Sequence, residues 1–340
     1  NYFTIQEIST DEAILPYRGG TDWGDNGIYL AMHQHTSTST DPNLRNTWNF
    51  ILQGISRSVS AINEFQGKTD ATSQLYLAES RGMRAYYSML TLDLFGVVFV
   101  KNTVGETSKV IRGAEAVEYI KSELLAIEPN LSTTVGPGRL NKAAAWGLLA
   151  RLHLNAAVYR NVTAQTVTFS NDDLDKVIEY TDKIINSNQY QLSPEYFSIF
   201  NSDNHSNKEI IFAVDQRAEL NGHNRLAYFS LSGDQFPLPA FPAANGTDGP
   251  AITSDYYRTW VNAYGSQDPS VDPRFYKQNL SIYSNPADSC VTAESFNINR
   301  GILRGQQYGL IRKNGVFLKC PDGKMKVGKL FNDTRNRPTT

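Results

Sequence analysis

The stretch LPYRGGTDWGDNGIYLAMHQH, residues 15–35, gathers charged, aromatic and imidazole side chains among glycines. Its Arg18 offers five N–H donors in a fixed fork, and its Trp23 offers a flat apolar face with one donor. Such a pair suits a sugar, because a sugar ring presents both a hydroxyl rim and a C–H face. The alternative is that Trp23 fills the core while Arg18 pairs with Asp22 or Asp25 and braces the turn.

Two other kinds of chemistry are open to the same stretch. Asp22 and Asp25 could form a carboxylate pair for glycoside cleavage, but acids this close in a glycine-rich turn more often bond the local backbone. His33 and His35 would lie on one side of a strand and could share a metal ion, yet the stretch offers no evident third ligand. We therefore expect neither catalysis nor a metal site here, and we expect His35 to face solvent or to bond a ligand.

The composition narrows the class of partner. The 340 residues carry a net charge of −2, with 19% charged residues, which gives no basic footprint for nucleic acid or for an anionic membrane. Aromatic residues make up 11% of the chain and accompany many asparagines, serines, threonines and glycines. This mixture favours contacts with uncharged polar ligands.

The sequence lacks the motifs of the commoner enzymes. It contains no GxSxG elbow, no HExxH, no P-loop and no GxGxxG, so we expect a protein that is not an enzyme and needs no cofactor. Cys290 and Cys320 show no zinc-binding spacing, and their spacing alone leaves open whether they form one disulfide or two free thiols.

Apolar residues recur at steps of three and four over much of the first 190 residues and predict five successive helices. We place these helices at Asn43–Phe65, Ala71–Phe95, Ala114–Glu128, Asn141–Tyr159 and Asp172–Ser187. Asn171 would cap the last of them. Pairs of amphipathic helices joined by loops are typical of a tetratricopeptide-like array, although no regular repeat length stands out.

Beyond Tyr190 the sequence is rich in loops. EIIFAVDQ alternates like a strand, GVFLKC predicts another, and FPLPAFPAANGTDGP breaks any regular element. YYRTWVNAY, which contains Tyr257 and Trp260, predicts a short aromatic helix or turn, part of which must be core while one or two rings reach a ligand. The triplet Asp272-Pro273-Arg274 predicts a structural turn with a local ion pair.

Six segments, taken in order, resemble the SusD/RagB family over roughly residues 5–330. They are DEAILPYRGGTDWGDNG, RNTWNFILQGISRSVSAIN, AESRGMRAYYSMLTLDLFGVVFV, RLNKAAAWGLLARLHLNAAVY, NKEIIFAV and DPRF. The resemblance implies a mainly α fold, with tetratricopeptide-like helix pairs packed against an irregular, loop-rich region with a few short strands. We accordingly expect one domain over residues 1–340, with a helical-repeat part at 43–190 and a ligand-binding part at 1–42 and 191–340.

Members of this family are surface lipoproteins of Bacteroidetes that bind nutrient glycans, or peptides in some branches, and sit as lids on a TonB-dependent transporter. The resemblance implies binding of an oligosaccharide or polysaccharide without catalysis, and delivery to a SusC-like transporter. The alternatives are a peptide-binding RagB-like protein and a helical-repeat scaffold that binds only protein. We expect the ligand to meet eight residues: Arg18, Asp22, Trp23, Asp25, Asn26, His35, Tyr257 and Trp260.

The resemblance also implies an outer-membrane location, with a lipid anchor in the full-length protein. Family members begin with a lipid-bearing cysteine and a helical segment and end with further helices, none of which matches residues here. We therefore expect a trimmed chain in which neither Cys290 nor Cys320 bears the lipid.

Overall fold

The computed structural model describes residues 1–16, 26–220, 249–266, 268, 270–275, 290–292 and 308–329. The chain forms two compact units. One comprises residues 46–215, and we call it the helical unit. The other comprises residues 1–45 and 216–340, and we call it the loop-rich unit. The expected single domain, with parts at 43–190, 1–42 and 191–340, remains a proposal.

Helices dominate the regular structure, which confirms the mainly α class. They are α1 Tyr2–Glu7, α2 Ile28–His33, α3 Pro42–Phe65, α4 Ala71–Phe95, α5 Gly113–Ile127, α6 Lys142–Arg160, α7 Asn171–Asn186 and α8 Ser254–Tyr264. The five predicted helices are present with ends that shift by a residue or so, while α1 and α2 were not predicted. None of the described helices combines the length and the apolarity that crossing a lipid bilayer requires.

The strands are short, and all of their pairings are antiparallel. They are β1 Ala13–Ile14, β2 Val98–Val100, β3 Lys109–Ile111, β4 Ala251–Ile252, β5 Cys290–Val291, β6 Tyr308–Leu310, β7 Arg312–Lys313, β8 Val316–Phe317 and β9 Met325–Lys329. β1 pairs with β4, β2 with β3, and β7 with β8, whereas β9 lies between β5 and β6.

The helical unit is built from neighbours in sequence, because α4 packs on α5, α5 on α6 and α6 on α7. Their apolar faces meet in one core, in which Leu92, Ile120, Leu124 and Leu152 are fully buried. Each side chain buried in this way contributes about 1.5–3 kcal/mol relative to an exposed position. The three- and four-residue spacing seen in the sequence is therefore the spacing of the core.

A buried ion cluster links α4 to α5 in the helical unit. The Arg84 guanidinium, 5% exposed, lies 2.6 Å from Glu123 Oε2, and Arg81 donates to the same carboxylate at 2.8 Å. Arg84 also donates to the Lys101 carbonyl oxygen at 2.9 Å, which fixes the start of the β2–β3 loop. Burial raises the pKa of Glu123, but the hydrogen bonds and charges of the two arginines outweigh burial and hold that pKa below its usual value.

A second polar cluster joins α6 to α7. His153 Nδ1 lies 2.8 Å from Asp173 Oδ1, and Arg160 donates to both oxygens of the same carboxylate at 2.6 and 3.0 Å. The Arg160 hydrogen bond is the main reason that the pKa of Asp173 lies below its ordinary value. The prediction that Asn171 caps this helix is wrong, since Asn171 is its first residue and Ser170 stands at the N-cap.

The strand predicted at EIIFAVDQ is also wrong, because residues 209–216 form no strand. The backbone of this segment finds partners in a loop and a side chain: Ala213 N donates to the Pro137 carbonyl at 2.9 Å, and the Ile211 carbonyl accepts from Asn141 Nδ2 at 3.1 Å. Ile211 and Phe212 pack against the helical core. The apolar residues of this segment therefore pack against the helices although the segment forms no strand.

In the loop-rich unit, Cys290 and Cys320 are joined in a disulfide, which decides the question that their spacing left open. The bond ties β5 to the chain that follows β8. The strand predicted at GVFLKC is present only in part, as β8.

Candidate functional site

The structure describes half of the eight residues expected at the ligand site. Arg18, Asp22, Trp23 and Asp25 lie outside the described residues. Asn26, His35, Tyr257 and Trp260 lie within them, all in the loop-rich unit.

A two-stranded pairing joins the chain before residue 17 to the chain before α8. Ala13 of β1 pairs with Ile252 of β4, and both alanines of the two-residue ladder are buried. Thr253 continues the pairing, since its N–H donates to the Glu12 carbonyl at 2.9 Å and its hydroxyl donates to the Asp11 carbonyl. Two sequence regions some 240 residues apart are thereby fixed side by side.

Thr253 is also the N-cap of α8. Its Oγ1 accepts from Tyr256 N at 3.2 Å, which satisfies one of the donors that a helix start leaves open. The helix ends before Gly265, whose φ of 64° is the left-handed conformation that glycine adopts without strain. The β1–β4 pairing therefore determines where α8 begins.

α8 brings Tyr257 and Trp260 together, as the helical spacing predicts. Their ring centroids lie 6.3 Å apart with planes at 84°, an edge-to-face contact. Trp260 is held further, because its indole N–H donates to Asp272 Oδ2 at 3.0 Å and the Arg274 guanidinium lies 4.9 Å from the ring centroid.

Asp272 is the centre of this arrangement and is only 5% exposed. Its carboxylate accepts from Arg274 Nε at 3.0 Å and from Arg274 Nη2 at 2.6 Å, in addition to the indole. The Arg274 hydrogen bonds are the main cause of an Asp272 pKa below its ordinary value, and burial opposes them. The ion pair predicted in the Asp-Pro-Arg turn is confirmed, and it also orients Trp260.

His35 is exposed, as expected, but the two histidines do not lie on a strand. The prediction of a strand there is wrong, because His33 ends helix α2 and His35 has a φ of 56°. His33 Nδ1 lies 3.1 Å from the Ile8 carbonyl, and His35 Nε2 lies 2.7 Å from the Ser9 carbonyl. Since a carbonyl oxygen only accepts, each ring donates, and the two imidazoles fasten the chain that leaves α1.

Asn26 lies two residues before the start of α2 and is exposed. It has a φ of 59°, and Gly27 after it has a φ of 77°. Asparagine tolerates this conformation better than most residues, and glycine adopts it freely. These two residues turn the chain from the stretch that contains Arg18 and Trp23 into α2.

Within the part of the chain that the structure describes, one group of potential metal ligands lies close together, namely Cys290, Cys320 and Asp322. Its two sulfur atoms are bonded to each other, so neither is a thiolate that could bind a cation. This group does not suit a metal ion.

The residues that connect the two segments of this region could not be predicted from the sequence. Thr253 and Asp11 carry no sign in the sequence that they meet, and nothing in the spacing of Trp260 and Asp272 predicts a hydrogen bond. The Asp-Pro-Arg triplet predicts the turn and its ion pair, but not the hydrogen bond from Trp260 to Asp272.

The comparisons with known proteins identify relatives by sequence and by fold. No family model matches the chain. The starch-binding protein SusD of Bacteroides thetaiotaomicron is 34% identical over 224 residues, which are 63% of this chain and 37% of SusD. The chain thus spans just over a third of the length of that relative.

Two solved structures share the fold. A SusD superfamily protein from Parabacteroides distasonis superposes with a TM-score of 0.62 at 20% identity, over 84% of this chain and 60% of its own. Surface glycan-binding protein A from Bacteroides thetaiotaomicron, solved with laminarihexaose, has a TM-score of 0.59 at 18% identity, over 75% of this chain and 54% of its own. The chain is thus similar to SusD in sequence and shares the fold of SusD superfamily proteins, which supports membership of the SusD/RagB family.

Proposed function

We propose that this protein binds an oligosaccharide or polysaccharide without catalysis at the outer cell surface and delivers it to a SusC-like TonB-dependent transporter. The ligand meets Arg18, Asp22, Trp23 and Asp25 of one loop together with Asn26, His35, Tyr257 and Trp260. A lipid anchor in the full-length protein would hold this site at the membrane.

The observation that carries the proposal is the pairing of β1 with β4. The strand that precedes Arg18 and Trp23 is bonded to the strand that precedes Tyr257 and Trp260. The two groups of residues that the sequence predicts to contact a sugar therefore follow two strands that pair with each other.

Rigid aromatic rings support the same proposal. Asp272 and Arg274 fix Trp260, and Trp260 contacts Tyr257, so these rings lose little conformational freedom when a ligand stacks on them. Ordering a free side chain on binding costs about 0.5–1.5 kcal/mol, which a ring already held in place does not lose. Because the indole N–H is engaged by Asp272, hydrogen bonds to sugar hydroxyls would come from the polar residues of the loop.

The relatives support a glycan as the class of ligand. SusD is described as a starch-binding protein, and the glycan-binding protein of similar fold was solved with laminarihexaose. Neither relative determines which glycan this chain takes.

Affinity electrophoresis against a panel of neutral polysaccharides tests the proposal. We expect at least one polysaccharide to retard the wild-type protein, and we expect Trp23→Ala and Tyr257→Ala to lose most of this retardation. Phe50→Ala, which removes a 62% exposed ring on α3, is the matched control and should migrate like the wild type. Circular dichroism of each variant separates loss of ligand contact from loss of folding.

Three results would overturn parts of the proposal. Retention of peptides in place of glycans would favour the RagB-like alternative, and hydrolysed sugar products would contradict a protein without catalysis. Failure to co-purify with a SusC-like transporter from outer membranes would contradict the delivery step.

A further inference from the structure

The strongest local charge in the described chain lies in residues 311–326, which we call the basic hairpin. This stretch contains five basic residues and one acidic residue, a net charge of +4. The whole chain carries −2, so the remaining residues together carry −6. The net charge of the whole chain therefore does not show that this stretch is positive.

Two turns and a disulfide hold the backbone of the basic hairpin. Asn314 and Gly315 both have positive φ, 52° and 80°, which is the two-residue turn that suits a tight hairpin between β7 and β8. A second turn returns the chain to β9, with Cys320 N donating to the Lys324 carbonyl at 2.8 Å. The disulfide then fixes Cys320 to β5.

The register places three lysines on one face of this small sheet. Lys313 is opposite Val316, and Lys319 is opposite Met325, so Leu318 is opposite Lys326. Since side chains alternate between faces along a strand, Lys313, Lys324 and Lys326 share a face with Val316 and Leu318.

All three lysines of this face are exposed, and Val316 between them is 70% exposed. Lys324 pairs with Asp322 at 2.9 Å, an exposed ion pair of small energetic value. For Lys313 and Lys326, no acidic partner occurs among the residues that the structure describes. Their charges therefore act together on whatever approaches this face.

We propose that the basic hairpin binds the anionic groups, carboxylate or sulfate, of an acidic polysaccharide, an inference that rests on the proposed glycan-binding function. Three ammonium groups around an exposed apolar side chain complement a chain that carries acids at intervals along a partly apolar surface. The remaining residues together carry −6, and this negative charge disfavours a broad polyanion such as duplex DNA or an anionic membrane.

The experiment uses pairs of polymers that differ only in charge. Polygalacturonate is compared with its methyl ester, and dextran sulfate with dextran, by affinity electrophoresis at low ionic strength. We expect an acidic polymer to retard the wild-type protein more than its neutral partner does. The difference should fall as salt rises, because the Debye length shrinks from about 30 Å at 0.01 M to about 8 Å at 0.15 M.

The variant K313Q/K324Q/K326Q should bind the acidic polymer roughly tenfold more weakly or worse, since three Coulomb contacts are lost. K313R/K324R/K326R, which keeps the charges, should bind like the wild type. The control K68Q/K109Q/K176Q removes three exposed lysines from the helical unit and the same total charge, and it should leave the difference between polymers unchanged.

The outcomes separate this proposal from the one on which it rests. If neutral glycans bind but acidic polymers bind no better, or if both glutamine variants weaken binding equally, the basic hairpin proposal is overturned while glycan binding stands. If no polysaccharide of either kind binds, the proposed function itself fails. Preferential binding to phosphatidylglycerol vesicles through the same three lysines would also overturn it, in favour of a membrane contact.

Discussion

The helical unit and the loop-rich unit connect their segments in different ways. In the helical unit, Glu123 meets Arg81 and Arg84 across two helices that follow each other in the chain. In the loop-rich unit, Thr253 bonds Asp11 across a separation of 242 residues, and a disulfide closes a further loop. The helices are therefore ordered mainly by neighbours in sequence, whereas the loops depend on a few bonds between distant residues.

This difference has a consequence for stability. In a unit with one shared core, removing one partner of a buried ion pair leaves the other charge buried and unpaired. This lowers the free energy of unfolding of the whole unit. Where order depends on single links, losing one link loosens the segment that it holds and leaves the rest in place.

The largest effect should follow the loss of Glu123. Glu123→Ala leaves Arg84 buried without its carboxylate, and we expect about 3–5 kcal/mol less stability. Urea denaturation followed by far-UV circular dichroism measures this change. Glu118→Ala removes a 62% exposed carboxylate from the same helix and should cost less than about 1 kcal/mol. Equal costs for the two variants would contradict a special role of the buried cluster.

The disulfide should come next. Cys290→Ser combined with Cys320→Ser removes a cross-link with a sequence separation of 30, which should cost about 3.6 kcal/mol of loop-closure entropy in the unfolded state. We expect hydrogen exchange to accelerate in residues 308–329 and to stay unchanged in α4 to α7. Reduction of the wild-type protein should reproduce this pattern. Faster exchange throughout the helices would show that the disulfide stabilises more than its own segment.

A smaller effect is expected at Gly113, the first residue of α5. Its φ is 57°, and a Cβ there would lie 2.9 Å from the Arg160 carbonyl oxygen. Gly113→Ala should cost about 1–2 kcal/mol from backbone strain and this contact. Gly105 has a φ of 86° with open space around it, so Gly105→Ala isolates the backbone term. Thermal unfolding measures the loss of stability in each variant, and we expect a larger loss for Gly113→Ala. Equal losses would show that the contact with the Arg160 carbonyl does not destabilise the variant.

The smallest effect that we expect is on the way stability falls at acidic pH. The pKa of Asp272 is lowered in the folded protein, chiefly by Arg274, so the unfolded state takes up the proton first as pH falls. The stabilisation is complete above the unfolded pKa of about 3.9 and is lost as pH drops through the folded value. Melting curves between pH 7 and 3 should show a weaker acid dependence for Asp272→Asn. Asp255→Asn, at an 85% exposed carboxylate of α8, serves as the control and should follow the wild type.

Much of the helical unit could be predicted because its core residues repeat with the helical period. The spacing of Leu92, Ile120, Leu124 and Leu152 along the chain assigns them to the apolar faces of their helices, and they are fully buried. The two wrong strand predictions have one cause, because the spacing of residues in a sequence does not show which distant segment they will bond. EIIFAVDQ alternates but has no strand beside it, and His33 and His35 bond carbonyls of a different segment.

For the proposed ligand site, the sequence predicts residue types, a helical spacing for Tyr257 and Trp260, and a turn at Asp272 to Arg274. It did not supply the pairing of β1 with β4, because two-residue strands carry almost no pattern. The basic hairpin was likewise hidden, since the net charge of the whole chain is slightly negative.

The sequence by itself determined the five long helices, the family resemblance and the kinds of side chain available for a ligand, because periodicity and residue chemistry are properties of short stretches. Only the tertiary structure decided that Cys290 and Cys320 are bonded, that Asp272 orients Trp260 and that three lysines share one face. Each of these facts depends on which distant backbone atoms pair, and hydrogen bonding between distant segments is fixed by the packed chain as a whole.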